Sequence, residues 1–417
     1  MSAKDTLREG RPIGSYQAKR RRGFHSGEPR RVGGEGMIDH ESSDKPSWAP
    51  VVGVLTKHYK DPDTQAARVL CAAMASHSLK QFNPAWCLAI APPGSMKTDF
   101  LESFRGLPGV HFVDEVTAST FLSGKVDEKG RKRTKPASWL HRIGGDGVLI
   151  AADFSTFTAN PKTLQTILAQ LRRIYDGNFS REFGTDENPE ERSWKGRLTL
   201  FAGAVPDIDS HYSLFQKLGE RFVRVRWPRA GGVEAGLMAL NHTIAVTADL
   251  RIAVQALLRP ILLAEQPSPE ISSAMQVKIA NMSELIALAR TWIERDGHSR
   301  EANGVPVTEG NTRLPQQLCQ IARGSALLDG RSHVSDEDYA LAARVGFDSV
   351  PPPRMSALRA IMAGSSPHSL GLPKATIDRA IEDLKLGGIL TDTGTLSDVA
   401  QKLLHGADLD GFIAQAA

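Results

Sequence analysis

The sequence is poor in cysteine: three in 417 residues, Cys71, Cys87 and Cys319. They are odd in number, far apart and without paired spacing, which excludes a disulfide framework and a cysteine zinc site. No run approaches the roughly 18 apolar residues that a membrane-spanning helix needs, so no membrane partner is expected. Basic residues at the N-terminus are not followed by an apolar core, so no secretory signal is expected and the anticipated location is cytoplasmic. The 12 histidines are scattered without metal-ligand spacing. Neither a nucleophile motif nor an internal repeat stands out.

What is present fits a soluble globular chain: 41% hydrophobic and 24% charged residues. Its length exceeds one ordinary core, which implies two or three domains. The net charge of +4 is unevenly placed. Residues 1–34 hold nine Lys or Arg against Asp5, Glu9 and Glu28, so the rest of the chain is slightly acidic. This glycine-rich stretch lacks large apolar groups, and residues 1–45 are expected to form a disordered basic tail. Such an arm either neutralises nucleic-acid phosphates or is merely solvated.

Beyond it, Gln65 to Leu79 reads as a buried helix. Four strand-like apolar runs follow, at Trp86–Ile90, Val110–Val113, Val148–Ala152 and Leu198–Ala202. A fifth, Phe222–Trp227, alternates like a half-exposed edge strand. Short apolar strands interleaved with helices predict an α/β fold with a mostly parallel five-stranded sheet, over residues 46–230. Residues 231–350 read as helices only: Ala248–Glu265, Ile271–Asp296, Arg313–Leu328 and Asp336–Val345. Pro260 is expected to kink or interrupt the first, and Ser335 with Asp338 to cap the last. Pro351–Pro353 marks a linker to a small module over 351–417.

The segment Ala91-Pro92-Pro93-Gly94-Ser95-Met96-Lys97-Thr98 follows a strand and opens a helix, the context of a phosphate-binding loop. Pro93, Gly94, Ser95 and Met96 would surround the phosphates of ATP, Lys97 would contact the outer ones, and Thr98 would help hold Mg²⁺. The strict pattern has glycine at positions 91 and 96, where this chain has Ala91 and Met96; the second departure lies close to the nucleotide. Gly147–Asp153 is an apolar strand ending in a carboxylate, and Asp153 is the expected second metal-holding group. Phe154 follows it where a catalytic glutamate is usual. Glu115 is the nearest alternative, and the general base stays unassigned.

The order of phosphate loop, strand ending in Asp153, helix, strand Leu198–Ala202, then Leu218-Gly219-Glu220-Arg221-Phe222 resembles an AAA+ module. That resemblance implies that Arg221 is the finger reaching a neighbouring subunit's nucleotide, and hence an oligomer, most simply a homo-oligomeric ring. Leu171–Gly184 with Trp194-Lys195-Gly196 is similar to prophage- and plasmid-type ATP-binding proteins. Asn311–Leu318 with Val334–Asp338 resembles the helical lid of minichromosome-maintenance-like helicases, which implies that Arg313 senses the γ-phosphate. The first sensor position stays open between Thr199 and Asp207.

Three regions are candidate DNA contacts. Lys125–Lys135 holds six basic residues against two acidic ones, with Lys132 and Arg133 foremost. Asn178–Lys195 lies where related helicases carry a channel-lining hairpin, with Lys195 as its candidate. Pro373–Leu384 looks like the second helix of a helix-turn-helix, with Ile377, Ala380, Ile381 and Leu384 as its buried stripe. Gly387–Leu396 resembles the hairpin of a winged helix. Lys374 and Arg379 would face DNA, opposed by Asp378, Glu382 and Asp383, so a protein partner is a rival. The expectation is an AAA+ P-loop ATPase core with a helical lid and a C-terminal winged-helix domain, acting on DNA in a mobile element. A nucleotide-binding switch, or a DNA-binding regulator with little hydrolysis, is the alternative.

Overall fold

The computed structural model describes residues 46–114, 116–117, 119–122, 138–154, 161–185, 188–217, 219–229, 231–241, 244–296 and 298–409. Glu115, Lys132, Arg133 and the basic tail up to residue 45 lie outside the described residues. Two helices, α1 (Ala49–His58) and α2 (Thr64–Ala75), precede strand β1 (Trp86–Ile90). Then come α3 (Lys97–Glu102), β2 (Val110–Val113), α4 (Trp139–Ile143), β3 (Asp146–Ala151) and α5 (Pro161–Tyr175). A hairpin of β4 (Asn178–Thr185) and β5 (Asn188–Lys195) leads to β6 (Arg197–Ala204), α6 (Tyr212–Lys217) and β7 (Phe222–Arg226).

Five of these strands form one sheet in the order β2-β3-β6-β1-β7, every neighbouring pair parallel. The long apolar runs are explained by this arrangement, because a parallel sheet is covered on both faces. Along β1, Cys87 and Ala89 enter one apolar core while Trp86, Leu88 and Ile90 enter the other. Val148 and Ile150 of β3 divide from Leu149 and Ala151 in the same way.

The chain continues with helices α7 (Val233–Leu240), α8 (Ile244–Leu263), α9 (Ser273–Ala289), α10 (Arg313–Leu328), α11 (Asp336–Asp348), α12 (Pro352–Met362), α13 (Lys374–Leu386) and α14 (Asp398–Gly406), and those from α8 onward add to the first core. Helix α7 is the exception and buries no residue. Helix α2 packs on α10 through small side chains. A methyl group at Gly324 would meet the Ala72 carbonyl oxygen at 1.9 Å, so only glycine permits that approach. The second core lies under α4, α5, α6 and the base of the hairpin. Leu164, Ile167, Leu168, Leu171 and Ile174 give α5 its buried stripe, at the three-to-four spacing a helix requires.

Most expected elements are found within a few residues. Helix α10 has the anticipated bounds, and α11 starts with a full capping box between Ser335 and Asp338. Two expectations are corrected. Helix α8 runs through Pro260 to Leu263, so the proline does not interrupt it; this near the C-terminal end it leaves most of the helix ladder intact. Strand β7 is at the sheet edge but is not half exposed: Arg224 is fully buried, its charge met by Asp209 at 2.7 Å and Glu220 at 3.1 Å. Alternation of arginine and valine here reports a buried ion-pair row, not a solvent face.

Candidate functional site

The segment after β1 holds the residues expected to meet phosphates. Gly94 has φ +75°, a left-handed turn that glycine alone adopts without strain. Pro93 and Thr98 are exposed, whereas Ser95 and Lys97 are buried. Met96 is half buried, with its side chain packed against the first core. The Lys97 ammonium donates to the Ala204 carbonyl at 2.9 Å, at the C-terminal end of β6. The Lys97 backbone N–H turns back to the Ser95 carbonyl. A phosphate at this loop would therefore compete with an internal acceptor for the amine.

Asp153, exposed just beyond β3, acts electrostatically on Lys97. Burial pushes the lysine below its ordinary value, and the Asp153 charge pulls it back up. The chain crosses here tightly: a methyl group at Gly203 would lie 2.2 Å from the Ala152 carbonyl oxygen. The next residue, Phe154, donates its backbone N–H to Gly203 at 2.6 Å and buries its ring near Phe222. No carboxylate occupies that position.

The sheet order gives the loop two different flanks. On the β6 and β3 side stand Ala204, Asp153 and the Lys97 amine. On the β7 side is a cavity of about 470 Å³, lined by Tyr59, Gly94, Met96, Trp227 and Met238 among others. Its size suits a nucleotide-sized ligand. Among the described residues no group of three His, Cys, Asp or Glu could hold a metal by protein ligands alone. A magnesium ion held by one hydroxyl, one carboxylate and ligand phosphates needs no such group.

Arg221 and Arg313 are brought together, away from their own loop. In the parallel register Trp86 faces Phe222 and Ile90 faces Arg226, so Arg221 precedes β7 at the end opposite the loop. Five residues of strand separate the two ends by roughly 15 Å. Arg221 donates to the Gly219 carbonyl at 2.8 Å, stands 3.6 Å from Asp176, and lies over the Tyr175 ring. Burial and then the neighbouring Arg313 push its guanidinium below its ordinary value. Of the two first-sensor candidates, Thr199 is buried toward that same far end, its hydroxyl 2.8 Å from His77 Nδ1. Asp207 is exposed in the turn just past the end of β6.

Lys195 is exposed but pairs with Asn178 at the base of the hairpin, not at its tip. Arg181 and Arg192 face each other across the hairpin, and both flank the Phe183 ring, at 5.2 and 5.9 Å. This cluster was not singled out from the sequence, although the alternation Phe179-Ser180-Arg181-Glu182-Phe183 carries its signal. In α13, Lys374 and Arg379 are exposed while Ile377, Ala380 and Leu384 are buried and Ile381 half buried. The acidic residues beside them are already paired: Glu382 with Arg295, Asp383 with Arg295 and Arg354, and Asp378 with His368.

Comparison with known proteins adds little. No protein-family profile matches the sequence, and no curated protein does. Among solved structures the chain is similar to a full-length MCM homologue from Methanopyrus kandleri, at 14% identity and a TM-score of 0.45. The likeness covers 72% of this chain and 58% of that one. The chain thus spans under two thirds of that protein's length. No helix among the described residues is long and apolar enough to cross a membrane.

Proposed function

We propose that the chain is an AAA+ type ATP-binding protein that hydrolyses ATP and acts on DNA. The observation that carries this is the placement of Lys97 and Asp153 together on one flank of the Gly94 turn, with a nucleotide-sized cavity on the other. In this reading the base lies in the cavity beside Trp227 and Met238, and the phosphates pass over Gly94–Lys97. Lys97 neutralises the outer phosphates, and Thr98 and Asp153 hold Mg²⁺. ATP supplies the phosphoryl group; the chain's part is to position it and offset the charge that develops on transfer.

Arg221 and Arg313 point to assembly. Both stand at the far end of β7, so they complete a neighbour's site and not their own, and a ring of identical subunits satisfies every site at once. Helix α7 supports the same arrangement. It lines the nucleotide cavity on one side and exposes Val233, Leu237 and Leu240 by 80%, 56% and 83%, an apolar face that a second subunit would cover. For DNA, the hairpin arginines Arg181 and Arg192, with Lys195 at its base, would track phosphates. Lys374 and Arg379 of a winged-helix module, freed from the paired acids around them, would do the same. Replication or strand separation for a mobile element, in the cytoplasm, is the role we favour.

A second reading keeps nucleotide binding without turnover, as a switch. It is favoured by Phe154, which fills the core where a water-activating glutamate would stand. Calorimetry with MgATP and single-turnover hydrolysis, each on the wild type and Lys97→Ala, separates the possibilities. We expect heat of binding and a measurable rate in the wild type, both lost in the variant. Uptake without hydrolysis would select the switch; no uptake would end both readings.

A further inference from the structure

A larger cavity, of about 820 Å³, adjoins the first and shares only Asp63, Trp227 and Pro228 with it. It opens between α2, α11, α12 and the end of β7, and nothing in the proposed nucleotide chemistry uses it. Its walls include two indoles, Trp48 and Trp227, together with Leu341 and Phe347, all almost fully buried. The Trp48 ring has the Arg68 guanidinium 5.9 Å from its centroid and the Trp227 ring packs against Phe100 at 5.7 Å, so the indoles form a fixed aromatic wall.

Its polar groups are mostly spoken for. Arg344 forms a two-pronged pair with Asp63, one prong at 2.6 Å. Arg226 is held by Asp209 at 2.7 and 2.9 Å. Arg68 is bound to Asp329 and Ser325. Asp348, whose charge reaches Arg359, accepts the Arg226 backbone N–H at 2.9 Å and stands 3.8 Å from Arg344.

Two donors are left over. Trp227 is 5% exposed, and its indole N–H is buried with no acceptor among the described residues. The Nε of Arg359 is buried in the same condition. Buried donors without acceptors are rare in folded proteins and costly, by more than a weak contact is worth. Here both belong to residues that line one roomy, aromatic-walled space.

We propose that this cavity is a second ligand site, for a small molecule that joins a flat aromatic ring to an anionic group. The ring lies against Trp48 and Trp227, and the anion meets Arg359. A nucleoside monophosphate has that chemistry, as does an aryl sulfonate. Because the wall between the cavities is formed by Trp227 and Pro228, an occupant here sits behind the floor of the first cavity without entering it.

The test uses the full chain and 8-anilinonaphthalene-1-sulfonate, an aryl sulfonate that fluoresces when bound, with and without saturating MgATP. We expect one saturable site per chain, still present with MgATP and displaced by AMP but not by inorganic phosphate. Arg359→Gln should weaken the dye at least tenfold. Ala340→Trp should remove the saturable phase, since half-exposed Ala340 lines the cavity and added bulk would fill it. Should Arg359→Gln fail to fold, Ala340→Trp decides alone. The proposal is overturned by absent binding, by binding unchanged in Ala340→Trp, by mole-for-mole displacement with ATP, or by displacement with phosphate alone. Loss of ATP uptake with dye binding intact would sink the nucleotide reading and leave this one standing.

Discussion

Arg313, the first residue of α10, lies beside Arg221 over the backbone of Gly219. A methyl group on Gly219 would be 2.5 Å from Arg221 Nη1 and 3.3 Å from Arg313 Nη2. Two like charges stand together, with Asp176 near one of them, and both Arg221 Nε and Arg313 Nη1 are buried without acceptors. Such a cluster is costly while no anion lies against it.

Substitution of Gly219 by alanine should therefore disable the cluster without touching the Gly94 turn. The position has φ +79°, so a side chain is strained there as well as crowded. We expect MgATP affinity within about twofold of the wild type and a fall in steady-state hydrolysis of at least ~100-fold, the scale on which such arginines act. Equal loss of affinity and turnover would refute the trans arrangement.

Mixing two inactive variants tests the same geometry from the other direction. Lys97→Ala spoils a subunit's own loop, and Arg221→Ala spoils what it offers its neighbour. Random assembly of equal amounts leaves about a quarter of interfaces with both groups intact, so activity should return to that order. A mixture as inactive as its components would place Arg221 in its own site.

Met96→Gly restores the small residue usual beside the nucleotide. Its thioether packs against the first core, so removal should cost about 1–2 kcal/mol of stability. In return we expect tighter MgATP binding, read by calorimetry, because the backbone can approach the phosphates. Weaker binding in a folded variant would show that Met96 itself makes a useful contact.

His77 makes stability depend on pH. Burial, and then the charge of Arg197, push its imidazole from 6.5 down to about 4. The unfolded chain takes up this proton near 6.5 and the native one only near 4, so protons favour unfolding across that window. Its contribution is complete above pH 6.5 and is lost as the pH falls toward 4. Urea unfolding at pH 7 and 4.5 should show a larger loss in the wild type than in His77→Gln, by about 1–3 kcal/mol. Parallel losses would remove His77 as the cause.

If α13 contacts DNA, the double variant Lys374→Ala/Arg379→Ala should weaken binding of unrelated duplexes uniformly. The slope of log affinity against log salt should fall by about 1–2. An unchanged slope would move the contact elsewhere, and an untouched affinity would favour a protein partner for this helix.

Much of the fold was legible in the sequence because its signals are local. Apolar runs such as Trp86–Ile90 and Val148–Ala152 declare buried strands, and the Ser335/Asp338 pair declares the start of α11. Gly94 and Lys97 mark a tight strand-to-helix turn by local preference alone. Less legible were residues whose meaning depends on distant partners. Arg224 and Arg226 read as a solvent-facing alternation until Asp209, Glu220 and Asp348 came beside them. The acids of α13 read as a barrier to DNA until Arg295 and Arg354 paired with two of them.

The chain's order of residues by itself determined where strands, helices and the Gly94 turn form, since hydrophobic period and backbone preference act over a few residues. Only the tertiary structure decided the sheet order that sets Asp153 and Lys97 on one side of the turn and a cavity on the other. It also decided that Arg221 and Arg313, 92 positions apart, share one surface at the far end of β7. Charge pairing and close approach are properties of three-dimensional neighbours, and sequence distance does not reveal which residues those are.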